Sequence, residues 1–166
     1  MKPFSPPPAR AAFHSPLGPM TLAANSQGLC GVWFDGQKHQ PDLQAWPQDA
    51  AHPVLLQTQA QLVEYFAGQR RLFDLTLDLG AGTEFQQTVW RGLLTIAPGT
   101  TTAYGELARR IGKPLAVRAL GAAVGRNPIS IIVPCHRVVG VNGALTGYAG
   151  GLWRKMDLLQ REGTLL

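Results

Sequence analysis

A thiol, an imidazole and a guanidinium stand side by side in Pro134-Cys135-His136-Arg137-Val138. The thiolate is the nucleophilic form of cysteine, and a neighbouring base or cation favours it. Cys135 is therefore a candidate nucleophile, with His136 as the candidate base. A structural reading stands beside this one. Cys135 follows Ile129-Ser130-Ile131-Ile132-Val133, which has the composition of a buried strand, and a thiol ending such a run packs as a small hydrophobe. Adjacent residues of a strand also point to opposite faces, so Cys135 and His136 cooperate only if the chain turns there or a water bridges them. The other cysteine, Cys30, lies in Leu29-Cys30-Gly31-Val32-Trp33-Phe34 without a basic neighbour and reads as core. Neither cysteine belongs to a Cys-x-x-Cys pair, so reduced thiols are expected, with no disulfide framework, no metal site and no cofactor-ligand cluster.

The elements that must position these groups follow from turn signals and periodicity. Breaks at Pro16-Leu17-Gly18-Pro19 and Asn25-Ser26-Gln27-Gly28 divide residues 12–34 into short strands. Leu55, Leu62 and Phe66 recur at helical spacing before Gly68, and Phe73, Leu75, Leu77 and Leu79 alternate with polar residues as in a half-buried strand. Gly80-Ala81-Gly82 suits a linker. Thr83-x-x-Gln86 is a capping box for a helix with Phe85, Val89 and Leu93 on one face, which ends before Pro98-Gly99. Thr102 is placed to cap a short helix carrying Leu107 and Ile111, Gly112 to end it, and Pro114 to open the next. In that next helix Val117, Leu120 and Val124 share a core face, while Ala116, Ala119 and Ala123 form an adjoining stripe of small residues. The fold class is α+β: an N-terminal sheet-plus-helix domain (1–80), a linker (81–84), and a mostly helical C-terminal domain (85–166) with a winged-helix-like helix-turn-helix. The proline-rich residues 1–8 are expected to be mobile.

Charge separates the halves. The chain carries +5, yet residues 1–84 are slightly acidic and the whole positive excess lies in residues 85–166. From Arg109 to Arg126 there are five basic residues (Arg109, Arg110, Lys113, Arg118, Arg126) and no acid, as a helix-turn-helix reader of nucleic acid requires. The first residues lack the apolar run of a signal peptide, and no stretch approaches the ~20 residues that span a bilayer, so a cytoplasmic protein without membrane contact is expected.

Taken together, Asn127-Pro128, Pro134-Cys135-His136-Arg137-Val138, Gly147-Tyr148-Ala149-Gly150-Gly151 and Leu158-Leu159-x-x-Glu162 resemble the active-site region of the O6-alkylguanine-DNA alkyltransferases, also called methylated-DNA–protein-cysteine methyltransferases. The resemblance extends through Phe85-Gln86-x-x-Val89-Trp90, Pro98-Gly99-Thr100-Thr101-Thr102-x-Tyr104-Gly105 and Ala116-Val117-Arg118-Ala119, covering nearly all of residues 85–166. In the first half it is looser and rests on Gly28 to Phe34.

This resemblance implies a direct-reversal DNA repair protein that moves an alkyl group from O6-alkylguanine, and from O4-alkylthymine, onto its own Cys135, once per molecule and without a cofactor. It assigns His136 to take the Cys135 proton through a water, Glu162 to hold the imidazole, Tyr104 to donate to the base, and Asn127 to tie the DNA-reading helix to the active-site loop. Val138, Tyr148, Ala149 and Val124 would line the substrate pocket, with the carbonyls of Cys135 and Val138 accepting from the guanine amino group. Arg118 matches the family's arginine finger, which fills the stack when the damaged nucleotide flips out. Ala116, Ala119, Ala122 and Lys113 would face the minor groove of double-stranded DNA. The protein would act as a monomer, with cooperative binding along DNA open. Two rivals remain at this stage: a lesion-recognition protein of the same fold, which the presence of Cys135 opposes, and a cysteine hydrolase using Cys135 and His136, which needs no basic helix-turn-helix.

Overall fold

The computed structural model describes residues 2–4 and 6–164. The chain opens as an antiparallel meander of β1 (Ala9–Ser15), β2 (Gly18–Asn25) and β3 (Gly28–Phe34), with both connections at the turn signals. The register shifts between Ala23 and Ala24, and this bulge breaks strict alternation. As a result Leu22, Ala24, Leu29, Val32 and Phe34 join the main core, while Ala23, Cys30, Trp33 and Trp46 form a small cluster of their own. Helix α1 (Pro53–Phe66) starts with Pro at its first position and His52 as cap, whose Nδ1 accepts from Val54 N at 3.2 Å, and it lays Leu55 and Leu62 on the sheet.

Residues 73–79 depart from the expected strand. Phe73, Leu75, Leu77 and Leu79 do turn inward, but the segment makes a single parallel bridge, at Leu77, to Leu29 of β3. Leu29 N donates to Thr76 O (2.9 Å) and Asp78 N donates to Leu29 O (2.8 Å). Two residues earlier the backbone is satisfied by a side chain instead. Gln61 Oε1 accepts from Asp74 N and Gln61 Nε2 donates to Asp74 O, so no ladder forms there. The N-terminal residues are also better anchored than expected: Lys2 N donates to Ala81 O, and Phe4 meets Trp46 edge to face at 5.2 Å between ring centroids. Met1 and Ser5 lie outside the described residues.

In the second half, α2 (Glu84–Leu93) carries the complete capping box, so Glu84 is helical rather than part of a linker. Thr102 does not cap a helix. It belongs to β4 (Thr102–Ala103), which pairs in parallel with β5 (Val138–Val139), and Ala103 caps α3 (Tyr104–Arg110) without a side-chain bond. Gly112 ends that helix with φ +73 as expected, but Pro114 sits in the connecting turn, and α4 (Val117–Gly125) begins only after Ala116. On α4, Leu120 and Val124 are buried as expected, but Val117 is 39% exposed and Ala123 completes the core face in its place. The chain closes with α5 (Leu152–Arg161). Trp33 and Trp90 are core, but Trp153 is largely exposed and stacks under Arg154.

One apolar cluster runs through both halves, from Phe13, Leu22 and Leu62 to Trp90, Leu107, Leu120 and Leu158. Trp90 fixes α2 on α4 by donating its Nε1 hydrogen to Ala123 O at 2.9 Å. The sheet reaches the second half through its open edge as well: Val32 N donates to Pro128 O and Ser130 N donates to Val32 O, both at 2.9 Å.

Gly28 makes the approach of residues 76–78 to β3 possible. It has φ +138, and a Cβ there would lie 2.5 Å from Thr76 O. Gly36 also has positive φ (+81), but nothing lies within 4 Å of a Cβ added there. Gly28→Ala is expected to destabilise the protein by about 2 kcal/mol or more and Gly36→Ala by about 1 kcal/mol, read from urea unfolding midpoints. Equal losses would show that only the dihedral matters.

Candidate active site

The run Ile129–Val133 is buried as its composition demands, yet it is a succession of tight turns, not a strand. Ile132 N donates to Ser130 O at 2.8 Å across Ile131, whose φ is +72. This is a γ-turn of the strained hand at a β-branched residue. A second γ-turn follows at Pro134 (φ −84, ψ 63), where Cys135 N donates to Val133 O at 2.8 Å. Cys135, His136 and Arg137 then form a single 3-10 turn. Because successive side chains of that turn diverge by about a third of a rotation, Cys135 and His136 escape the opposed geometry of a strand. β5 immediately afterwards pairs with β4, which puts Tyr104, the first residue of α3, beside the turn.

Asn127 is the junction between α4 and this turn. It is buried, its Oδ1 accepts from Ile129 N at 3.0 Å, and its Nδ2 donates to Val133 O (2.7 Å) and to Cys135 Sγ (3.1 Å). Cys135 lies at the wall of a cavity of about 90 Å³, together with Tyr104, Gly121, Val124, Gly147, Tyr148 and Ala149. A shallower apolar recess beside it shares Tyr104 and Gly121 and adds Val117, Arg118 and Val141. Burial pushes the Cys135 thiol up, opposed by the Asn127 hydrogen bond and the charge of Lys155.

His136 is wholly buried. Its Nε2 meets Glu162 Oε1 at 2.7 Å, and its Nδ1 has no partner among the described residues, leaving it free to bond a water or a reacting proton. Burial lowers its pKa, opposed by the hydrogen bond and charge of Glu162. Glu162 follows the last residue of α5, and its carboxylate takes three further hydrogen bonds: Arg137 Nε to Oε2, and Arg137 Nη2 and Tyr65 Oη to Oε1, each 2.9 Å. Burial would raise the Glu162 pKa, but the hydrogen bonds and charges of His136 and Arg137 outweigh it and bring the value down to about 2. The Arg137 guanidinium, an expected activator of the thiol, is thus turned toward Glu162 and Ile96 O (2.6 Å).

On the substrate side, Val138 is buried and its carbonyl accepts from Lys155 Nζ at 2.6 Å, while the Cys135 carbonyl accepts from Val138 N. Each carbonyl keeps a second lone pair. The Tyr148 hydroxyl is buried without a hydrogen-bond partner among the described residues. Its ring packs over Gly150, where a Cβ would come within 2.8 Å of it. On the outside of α4, Arg118, Ala119 and Ala122 are exposed, with Ala116 at the cap and Lys113 exposed in the preceding turn. Ala123, read as part of that stripe, is instead core. Arg109 and Arg110 both pair with Glu106 on α3, so the expectation that all five basic residues stand unopposed holds only for Lys113, Arg118 and Arg126 among the described groups.

Sequence reasoning missed three residues. Lys155 has no exposed surface and donates to the carbonyls of Val138, Thr146 and Gly147, with burial lowering its pKa to about 8. Arg154 donates to Gly150 O and Leu17 O, and lies over the Phe34 ring. Between them they fasten the 146–150 loop. The third is Tyr65. Lys155 shares a helix face with Leu158 and Leu159, a signal the periodicity of α5 does contain. Cys30 is core as read, and burial raises its pKa to about 12.

Two family models match the chain: the ribonuclease-like domain of 6-O-methylguanine DNA methyltransferase over residues 10–79, and the DNA binding domain of 6-O-methylguanine DNA methyltransferase over residues 84–164. The methylated-DNA–protein-cysteine methyltransferase of Mycobacterium tuberculosis strain H37Rv is 49% identical over 148 residues, 89% of this chain and 88% of that protein. That of Methanosarcina acetivorans is 48% identical over 155 residues, covering 93% and 97%. The crystal structure of Mycobacterium tuberculosis OGT in complex with DNA superposes with a TM-score of 0.85 at 47% identity, covering 93% of this chain and 92% of that one.

The depressed pKa of Glu162 makes stability depend on pH. A carboxylate whose folded pKa lies near 2, against an ordinary 4.5, stabilises the fold fully above the ordinary value, and that contribution disappears as pH falls toward 2. Glu162→Gln also leaves Arg137 buried without its countercharge. The variant is expected to be less stable than wild type by about 3 kcal/mol at neutral pH, with the gap closing in acid, measured by urea unfolding across a pH series. A gap independent of pH would contradict the assignment.

Proposed function

The chain belongs to the 6-O-methylguanine DNA methyltransferase family, and from that premise we propose that it repairs O6-alkylguanine in DNA by transferring the alkyl group irreversibly to Cys135. The observation that carries this reading is the buried Cys135 thiol in a cavity beside the basic helix-turn-helix, next to an imidazole held by a buried carboxylate. His136, through a water at its open Nδ1, takes the thiol proton. The thiolate attacks the alkyl carbon in line, the carbon–oxygen bond breaks, and its electron pair goes to guanine, which is protonated on release. Glu162 stabilises the imidazolium formed in the first step. Tyr104 donates to the departing base, the Ala149 backbone N–H faces its oxygen, and Val138, Tyr148 and Val124 enclose it. The thioether left on Cys135 has no leaving group for water to displace, so each molecule acts once.

The partner is double-stranded DNA. A cavity walled by α3, α4 and the 147–149 loop admits a base only after it leaves the stack, which costs a few kcal/mol. Arg118, exposed at the start of α4 and at the rim of the recess, fills the gap, while Ala116, Ala119 and Ala122 allow α4 to approach the minor groove and Lys113 meets phosphate. Asn127 relays between α4 and the Cys135 turn. O4-alkylthymine is a second substrate, and the protein works as a monomer. Residues 1–80 serve as scaffold and residues 84–166 as reactive unit, joined through 81–83. Both cysteines are free, and a nucleophilic thiol requires a reducing compartment, which fits the cytoplasm. No helix of the described residues is long and apolar enough to cross a membrane.

The flipping role separates two substrates. Arg118→Ala is expected to slow repair of a duplex carrying O6-methylguanine by about tenfold or more, while leaving reaction with free O6-benzylguanine within about twofold. Cys135→Ser, which should bind the duplex without accepting the group, serves as the zero for both measurements. Equal losses on duplex and free base in Arg118→Ala would remove Arg118 from the flipping step, and transfer by Cys135→Ser would remove Cys135 as acceptor.

A further inference from the structure

Among the contacts between the first half of the chain and the reactive site, one reaches the Glu162 carboxylate. Tyr65, near the end of α1, is buried and donates to Glu162 Oε1 at 2.9 Å, the same oxygen that receives His136 Nε2 at 2.7 Å and Arg137 Nη2 at 2.9 Å. A second contact from the same half supports the helix end: Arg71 Nη2 donates to the Glu162 carbonyl at 2.6 Å, against Gly99, where a Cβ would come within 2.9 Å of that nitrogen. A third brings Arg161 over the Phe66 ring at 5.4 Å.

We infer that Tyr65 is a positioning residue for alkyl transfer: its hydroxyl holds Glu162 Oε1 in place and takes a share of the oxygen's charge that would otherwise be divided between His136 and Arg137. This rests on the reading of Cys135 and His136 given above. A carboxylate has about two acceptor sites on each oxygen. Oε1 serves three donors while Oε2 serves Arg137 Nε. The donors on Oε1 therefore compete, and each weakens the pull on the others. The charged and titratable groups around the pair are Tyr65 from α1, Arg71 from the segment after it, Cys135 and Arg137 from the 3-10 turn, and Lys155 and Arg161 from α5. Burial first, then the Glu162 charge, pushes the Tyr65 hydroxyl far above its ordinary pKa, so it keeps its proton and remains a donor throughout the working pH range.

Removing only that hydroxyl leaves His136 a larger share of the carboxylate, which favours imidazolium and makes the base harder to keep neutral. Tyr65→Phe retains the ring against Phe66 and Phe73, so the fold is not at stake. The test is the single-turnover rate on an O6-methylguanine duplex across pH, with the His136 ring titration followed by NMR in the same variant. The ratio of the rate near pH 6 to the rate near pH 8 is expected to fall roughly threefold relative to wild type, with the ring titrating at higher pH and DNA affinity unchanged. A profile that superposes on wild type after a single scale factor, with an unmoved ring titration, would overturn the inference and leave Tyr65 a structural contact. Absence of transfer by the wild-type protein would instead overturn the underlying reading, and the ring titration, which needs no substrate, would still decide the role of the hydroxyl.

Discussion

A carboxylate buried as deeply as that of Glu162 is unfavourable unless its lone pairs are taken up, and the arrangement of this protein around the reactive turn is largely the means of doing so. Arg137 supplies a two-point ion pair, His136 a short hydrogen bond, and Tyr65 a neutral donor from the opposite half of the chain. Each partner is locked in turn: Arg137 by Ile96 O, and the end of α5 by Arg71. The imidazole, gripped at Nε2, has one orientation and one open nitrogen. A base whose ring cannot turn is worth more to a proton transfer than a mobile one of equal strength, because the ordering entropy is lost on folding and not at the moment of reaction.

The second constraint is backbone geometry. A thiol and an imidazole that are neighbours in sequence diverge on a strand, and the chain avoids this with two γ-turns and a 3-10 turn between Ser130 and Arg137. The positive φ at Ile131 costs about 1–3 kcal/mol, and it is held by burial of the isoleucine and by the hydrogen bonds that Ser130 N donates to Val32 O of β3 and Ile129 N donates to Asn127 Oδ1. Asn127 then links this strained turn to the last residues of α4: its backbone N–H donates to Val124 O, and its side chain bonds Val133 O and Cys135 Sγ.

Much of the fold was legible because it is written in local signals. The three-stranded meander follows its two turns, α1 its apolar spacing, and α2 its Thr83–Gln86 capping box. What failed depends on partners distant in the chain. Thr102 has the residue type of a helix cap, but Val138 claims it as a strand; residues 73–79 alternate like a strand, but Gln61 takes the hydrogen bonds a neighbour would need. Ile129–Val133 shows the limit of composition, which reports burial and not conformation. In the site, Cys135 and His136 came from their residue types and adjacency, Glu162, Asn127 and Tyr104 from the family resemblance, and the structure brings them together. Tyr65 came from neither, since a tyrosine that reaches across the molecule leaves no mark in its neighbours, and for Lys155 the periodicity of α5 marks the buried face but not the carbonyls it bonds.

The central claim is that Cys135 Sγ is the final resting place of the alkyl group. It is tested most directly by the intact mass of the protein after incubation with a duplex carrying one O6-methylguanine, followed by peptide mapping. The account predicts a gain of one methylene, about 14 Da, confined to the peptide containing Cys135 and saturating at one per chain. Guanine restored in the duplex with the protein mass unchanged, or a gain at any other residue, would contradict it.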